Sequence, residues 1–400
     1  MPTRLSAVIA LLGGVCVVTA AAAAAASAAA APLLPGFVSF MYYIGEDPDM
    51  KPVLAALNLS TGAVKTLARV PQLDASLLQQ STAFLDPPTS VWALSMVKEA
   101  NLTAGQLLQF DFAESPPALL PAVDSTYCWM IFATADPDSI LCLTEWPWFN
   151  YSSPATAAPA PPRRSLAAEL RGLAPAAWLA QRRRRLRAAA APAQQEQFLL
   201  RLSRATGAAT VVKRDWAPNI IPCNDAITMN RTDPTRHTVL AYMASATSDA
   251  SFLVLVDATS GALVMQKAVS QSTIIYALEF NHGVAGGDAS NATYGIGTTD
   301  AGAGFVSWFA RFEYDAAAND MTWTQVGPGG TFDKYGYIEG VAAAAPALGV
   351  FFAIAQGEDP TTKKPIVDLI GVDTMSGLIV YTMDLSQYAY LSAIHYHAEA

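Results

Sequence analysis

Glu279, Asn281 and Glu339 are the side chains in this sequence best suited to hold an ion. Carboxylate and amide oxygens are the donors that a hard cation such as calcium takes, and Asp86 and Asp225 carry the same chemistry. The only histidines are His237, His282, His395 and His397. The last two alternate along one extended segment and so share a face, which offers two nitrogen ligands, with no third ligand near them in sequence. Cys128 and Cys142 flank the turn Ala135-Asp136-Pro137-Asp138 on two hairpin strands, close to facing positions. In an oxidising compartment they form a disulfide and leave Cys223 over; three buried thiols are the alternative. The chain has no G-x-S-x-G, no H-E-x-x-H and no phosphate-binding glycine loop. No residue stands out as a nucleophile, so whether the protein is an enzyme stays open.

The N-terminus sets the compartment. Arg4 precedes an apolar run, Leu5 to Thr19, and small residues fill the stretch to Ala31. That order is a signal peptide over residues 1–31, with a long signal-anchor as the alternative. No later segment reads as a transmembrane helix: Gly340 to Ala355 is short and broken by Pro346 and Gly349, which suits two buried strands. Five N-x-[S/T] sequons, at Asn58, Asn101, Asn150, Asn230 and Asn291, fit a glycosylated secreted or lumenal chain. A formal net charge of −9 argues against nucleic acid as a partner. Hydrophobic residues make up 52% and charged residues 14%, enough apolar material for a large core.

The elements that must position these residues come from a repeat. LAALNLSTG ends at Gly62, LVLVDATSG at Gly261 and LIGVDTMSG at Gly377; LRLSRATG, ending at Gly207, is a weaker copy. Two further copies keep the apolar strand and the acid but lose the glycine, at Asp111 and Asp315. A strand, an Asp or Asn, a hydroxyl residue, a glycine and a second strand make a hairpin. The turn positions 58, 111, 203, 257, 315 and 373 are 53, 92, 54, 58 and 58 residues apart. The one long step contains a low-complexity stretch, residues 152–193, whose removal makes the period nearly constant. Each period holds four short strands, for example Ile274–Phe280, Ala292–Thr298, Ser307–Tyr314 and Met321–Val326. The sequence therefore predicts an all-β fold over residues 32–400. It is a six-bladed β-propeller of four-stranded antiparallel blades, closed by pairing the C-terminal strand Tyr390–His397 with the N-terminal strand Gly36–Ile44. A β-sandwich or open solenoid is the alternative.

The phrase resembles the PQQ-like, quinoprotein-type propeller repeat, whose units carry a D-x-x-[TS]-G turn between outer strands. Asn58–Gly62, Asp257–Gly261 and Asp373–Gly377 carry the likeness, while the tryptophan that follows the glycine in that family is absent. The resemblance implies the fold, and a quinoprotein-type oxidoreductase as one activity. Six-bladed lactonase-type propellers imply another, a calcium-dependent lactonase- or esterase-like hydrolase with Glu279, Asn281 and Glu339 around the central channel. Without catalytic signatures, the leading expectation is a monomeric binding or scaffold module for an extracellular protein or glycan. Thr298 to Phe305 resembles the Asp-box of sialidase propellers and reads as a structural turn. Within the insertion, Arg163 to Arg187 carries eight arginines against Glu169 alone, which reads as a solvated excursion or a processing site.

Overall fold

In four copies of the repeat the asparagine or aspartate folds its own turn. In the fourth unit Asp257 Oδ1 accepts hydrogen bonds from Thr259 N at 3.0 Å and Ser260 N at 2.6 Å. Asn58 Oδ1 does the same for Ser60 N and Thr61 N, Asp373 Oδ1 for Met375 N and Ser376 N, and Asp315 Oδ1 for Ala317 N and Ala318 N. The reversal then needs a left-handed residue. Gly62, Gly207, Gly261 and Gly377 supply it with φ of 68–70°, and Asn319, with φ of 50°, replaces the missing glycine of the fifth copy. Asparagine is the non-glycine residue that tolerates this region best.

The computed structural model describes residues 34–44, 51–69, 75–85, 91–98, 101–111, 118–128, 130–133, 136, 138–145, 197–214, 220–230, 238–245, 250–257, 259–270, 272–280, 292–302, 305–358 and 361–398. The first sheet contains β1 (Phe37–Ile44), β2 (Lys51–Asn58) and β3 (Val64–Arg69). The second contains β4 (Ala75–Leu85), β5 (Val91–Lys98), β6 (Asn101–Asp111), β7 (Ala118–Leu119) and β8 (Val123–Ser125). The third has β9 (Met130–Ala133), β10 (Ser139–Glu145), β11 (Gln197–Ser203) and β12 (Ala209–Arg214); the fourth has β13 (Ile220–Asn230), β14 (Thr238–Ser245), β15 (Ser251–Asp257) and β16 (Leu263–Val269). The fifth has β17 (Thr273–Phe280), β18 (Thr293–Asp300), β19 (Phe305–Asp315) and β20 (Asp320–Val326). The sixth has β21 (Tyr335–Ala345), β22 (Val350–Glu358), β23 (Pro365–Asp373) and β24 (Ile379–Asp384). The last strand, β25 (Ala389–His397), returns to the first sheet, whose order is β25-β1-β2-β3. All pairings among these described strands are antiparallel.

The fold is thus all-β, with six antiparallel sheets among the described residues. In the second sheet the fourth strand is split: β7 and β8 both pair with β6, on either side of Pro121, which has no N–H to give the ladder. A 3-10 turn over Pro346–Leu348 and the left-handed Gly349 separate β21 from β22, where the sequence placed two strands. The Asp300 turn is structural, with Gly302 N donating to Asp300 Oδ1 at 2.8 Å. Among the described residues no helix is long and apolar enough to cross a membrane.

The first strands of neighbouring sheets adjoin one another. β4 touches β9, β9 touches β13, β13 touches β17, β17 touches β21, β21 touches β25 and β25 touches β4. The outer edges are matched by the turn glycines. A Cβ on Gly377 would collide with the Val326 carbonyl oxygen of β20, and one on Gly207 with the Asp124 carbonyl oxygen of β8. One on Gly261 would meet Lys213 and Val212 of β12, and one on Gly62 would meet Met383 of β24. Each of these turns packs on the last strand of the sheet before it, and the first sheet's turn packs on the sixth. Buried apolar residues fill the spaces between sheets: Tyr294 stacks on Phe309 at 5.5 Å, and Phe309 meets Phe351 at 5.4 Å.

Candidate functional site

The register brings the acidic residues to one level. Four residues back from each turn position lie Leu253, Arg311 and Leu369 on the third strands of the fourth to sixth sheets. They face Tyr242, Tyr294 and Ile354 on the second strands. On the first strands each of these three faces either an acid or an unpaired stretch that contains one. Opposite Tyr242 the ladder of β13 breaks between Pro222 and Ile227, so Cys223, Asn224, Asp225 and Ala226 stand out of register. Opposite Tyr294 stands Glu279 of β17. Opposite Ile354 the ladder of β21 breaks between Ile338 and Ala342, and Glu339, Gly340 and Val341 stand out of register.

The same count in the other three sheets reaches Ala393 on β25, Ser81 on β4 and Met130 on β9. At this level β17 thus carries Glu279, and the unpaired stretches of its neighbours β13 and β21 carry Asp225 and Glu339. Those strands touch one another, β13 with β21 as well as each with β17 between them. Extra residues on one strand bend it and leave backbone groups outside the ladder, a feature common beside binding and catalytic sites. Pro222, which a continuous strand would not accommodate, sits at the edge of such a break.

Glu279 is half-buried beside the buried Tyr294. Glu339 and Asp225 are fixed here by their places on the backbone; Asn281 and Asp86 lie outside the described residues. Among the described residues no three His, Cys, Asp or Glu gather closely enough to hold a metal ion. A second polar group lies at the start of β21. Tyr335 Oη donates to Asp368 Oδ2 at 2.6 Å, and Lys334 Nζ stands 4.0 Å from the same oxygen. Burial pushes the Asp368 carboxyl above the usual carboxylate range despite the opposing pull of Tyr335 and Lys334, and it pushes the Tyr335 phenol up as well.

Cys128 and Cys142 are joined, with Cα atoms 5.3 Å apart. They are not directly facing residues: Cys142 faces Ile131, and the bridge reaches back to the segment before β9. That segment carries the chain from the second sheet to the third, where Cys128 N donates to Ser95 Oγ and Thr144 Oγ1 donates to the Tyr127 carbonyl. Among the sequons, Asn58 lies in a turn with its Oδ1 engaged, Asn101 opens β6 and Asn230 closes β13, while Asn150 and Asn291 lie outside the described residues. The insertion 152–193 and the leader 1–31 also lie outside them. His395 and His397 are brought together on β25, ring centres 4.5 Å apart and nearly perpendicular. Burial pulls the His397 imidazole down to about 4.

No protein-family model and no curated protein matches the chain. Solved structures give remote likenesses. A putative 6-phosphogluconolactonase from Bacteroides fragilis is similar with a TM-score of 0.41 and 8% identity, over 91% of this chain and 98% of that one. An oligogalacturonate lyase from Vibrio parahaemolyticus is similar with a TM-score of 0.40 and 12% identity, over 87% and 79%. The Synechocystis apocarotenoid oxygenase, as its Glu150Asp mutant, is similar with a TM-score of 0.41 and 9% identity, over 87% and 72%. At these scores the likenesses carry no argument about ligand or reaction.

Proposed function

We propose that the six sheets are the blades of a closed β-propeller, secreted and glycosylated, that serves as a binding module for an extracellular protein or glycan. The ligand seat is the inner-strand level of Asp225, Glu279 and Glu339. Closure is supported by the β25–β1 pairing, by the contacts between neighbouring first strands and by the Gly62–Met383 approach. The seat rests on one observation: β17 carries Glu279, and the unpaired stretches of β13 and β21 carry Asp225 and Glu339, at the level where β25, β4 and β9 carry Ala393, Ser81 and Met130. Half of the inner ring thus differs chemically from the other half, which a purely structural level does not require. Arrays of glycans and extracellular proteins, probed with the secreted chain, test this reading. A hit lost in the Asp225→Ala/Glu279→Ala/Glu339→Ala variant supports the seat; equal binding by that variant contradicts it.

The same asymmetry favours a second reading, a calcium-dependent lactonase- or esterase-like hydrolase. Carboxylates at one level supply hard oxygen donors, the chemistry calcium selects, and Asn281 two residues beyond Glu279 would add an amide oxygen. A bound ion stabilises the folded state by mass action, about 2.7 kcal/mol at 100 times its Kd. The melting temperature must then rise with calcium and fall with chelator, and the triple variant must show neither change. A melting temperature indifferent to both sinks this reading and leaves the binding module standing.

A further inference from the structure

We infer that β25 and β1 form a copper(II)-type metal site from the imidazoles of His395 and His397, with the Ser39 hydroxyl holding a metal-bound water. The inference rests on the β25–β1 strand pair and is independent of Asp225, Glu279 and Glu339. His395 faces Ser39 directly across the ladder and His397 faces Phe37. Directly opposed residues of an antiparallel pair share a face, as do alternate residues of one strand. His395, His397 and Ser39 therefore lie on one side of the sheet. The other side, with Val38, Phe40, Ile394 and Tyr396, packs on the sixth sheet, where Tyr396 stacks on Phe352 at 6.0 Å.

Two features mark the face as more than a polar rim. The first is the spacing of the rings. With metal–nitrogen bonds of about 2.0–2.1 Å and about 1.1 Å from ring centre to nitrogen, rings 4.5 Å apart can aim at one ion with an angle of about 90° between bonds. That is close to the cis angle of a tetragonal centre, and the general affinity order of imidazole sites places Cu2+ above Zn2+. The second is Ser39, only 1% exposed, whose Oγ has no hydrogen-bond partner among the described residues. A buried hydroxyl without a partner leaves its desolvation uncompensated, and a water on an ion held by the facing imidazole would satisfy it.

The test is Cu2+ titration of the untagged, full-length secreted chain, followed by electron paramagnetic resonance. The expected result is one Cu2+ per chain, with hyperfine structure from two nitrogens. The His237→Asn/His282→Asn variant should keep that signal and the His395→Asn/His397→Asn variant should lose it. Ser39→Ala should weaken binding by about tenfold, as loss of a group supporting a metal ligand does. No bound Cu2+ in the unaltered chain, or a signal that the His237→Asn/His282→Asn variant loses, overturns the assignment. Because the spectrum of the unaltered chain counts the nitrogens by itself, the test survives misfolding of the strand variants.

Discussion

At the scale of single residues, the turn glycines have two separable roles. Gly377 and Gly62 share the left-handed conformation, yet a Cβ on Gly377 would strike the rigid Val326 carbonyl while one on Gly62 would meet the flexible end of Met383 at 3.2 Å. Gly62→Ala should cost the conformational part alone, about 1–2 kcal/mol. Gly377→Ala should cost that and a further 1–3 kcal/mol or so of overpacking. Denaturant unfolding of both variants measures the difference, and equal losses would mean the glycines serve the turn only. The buried acid Asp368 makes a pH prediction. Its folded-state pKa lies above the unfolded value, so its protonated form is favoured in the fold. Its contribution to stability is present below about 3.8 and is lost as pH rises through the raised folded value. Asp368→Asn should remove that dependence and be at least as stable as the parent at pH 7. Tyr335→Phe, which strips the carboxylate of its donor, should cost about 1–3 kcal/mol there. Unfolding curves between pH 3 and 7 check both.

At the scale of elements, what was legible in the sequence was whatever a local pattern carries. Turn chemistry marked the hairpins, and strand ends such as Ile274–Phe280 agree with β17 to within a residue. Glu279 and Glu339 were visible as residue types, but their common level was not. It depends on extra residues at Cys223–Ala226 and Glu339–Val341, and a count of alternating residues does not reveal a break that only the partner strand defines. Pro222 hid the first half of β13 for the same reason. Asn319 did carry a signal: an asparagine four residues after Asp315, where four of the other copies have glycine. Ser39 carried none, because a small polar residue in an apolar strand acquires meaning only from the strand laid beside it. The disulfide also belongs to this scale. It closes a loop with a sequence separation of 14 residues, for which chain entropy gives about 3 kcal/mol. The Cys128→Ala/Cys142→Ala variant should lose roughly that much in denaturant unfolding, with the damage centred on the passage from the second sheet to the third.

At the scale of the whole molecule, the proposed propeller is a ring whose first blade is the sheet β25-β1-β2-β3, with strands from the two ends of the fold. Removing residues 389–400 would then expose the hydrogen-bonding edge of β1 along its length, an invitation to pair with another chain. Excising residues 152–193, which fall between β10 and β11 in the chain, should act only through the length of that connection, and loop closure depends weakly on length. The decisive measurement is secretion and monodispersity of these two deletions expressed side by side. The account predicts that the 152–193 deletion is secreted and monomeric at parental levels while the 389–400 deletion is retained or aggregates. A 389–400 deletion that is secreted as a stable monomer would contradict the closed ring.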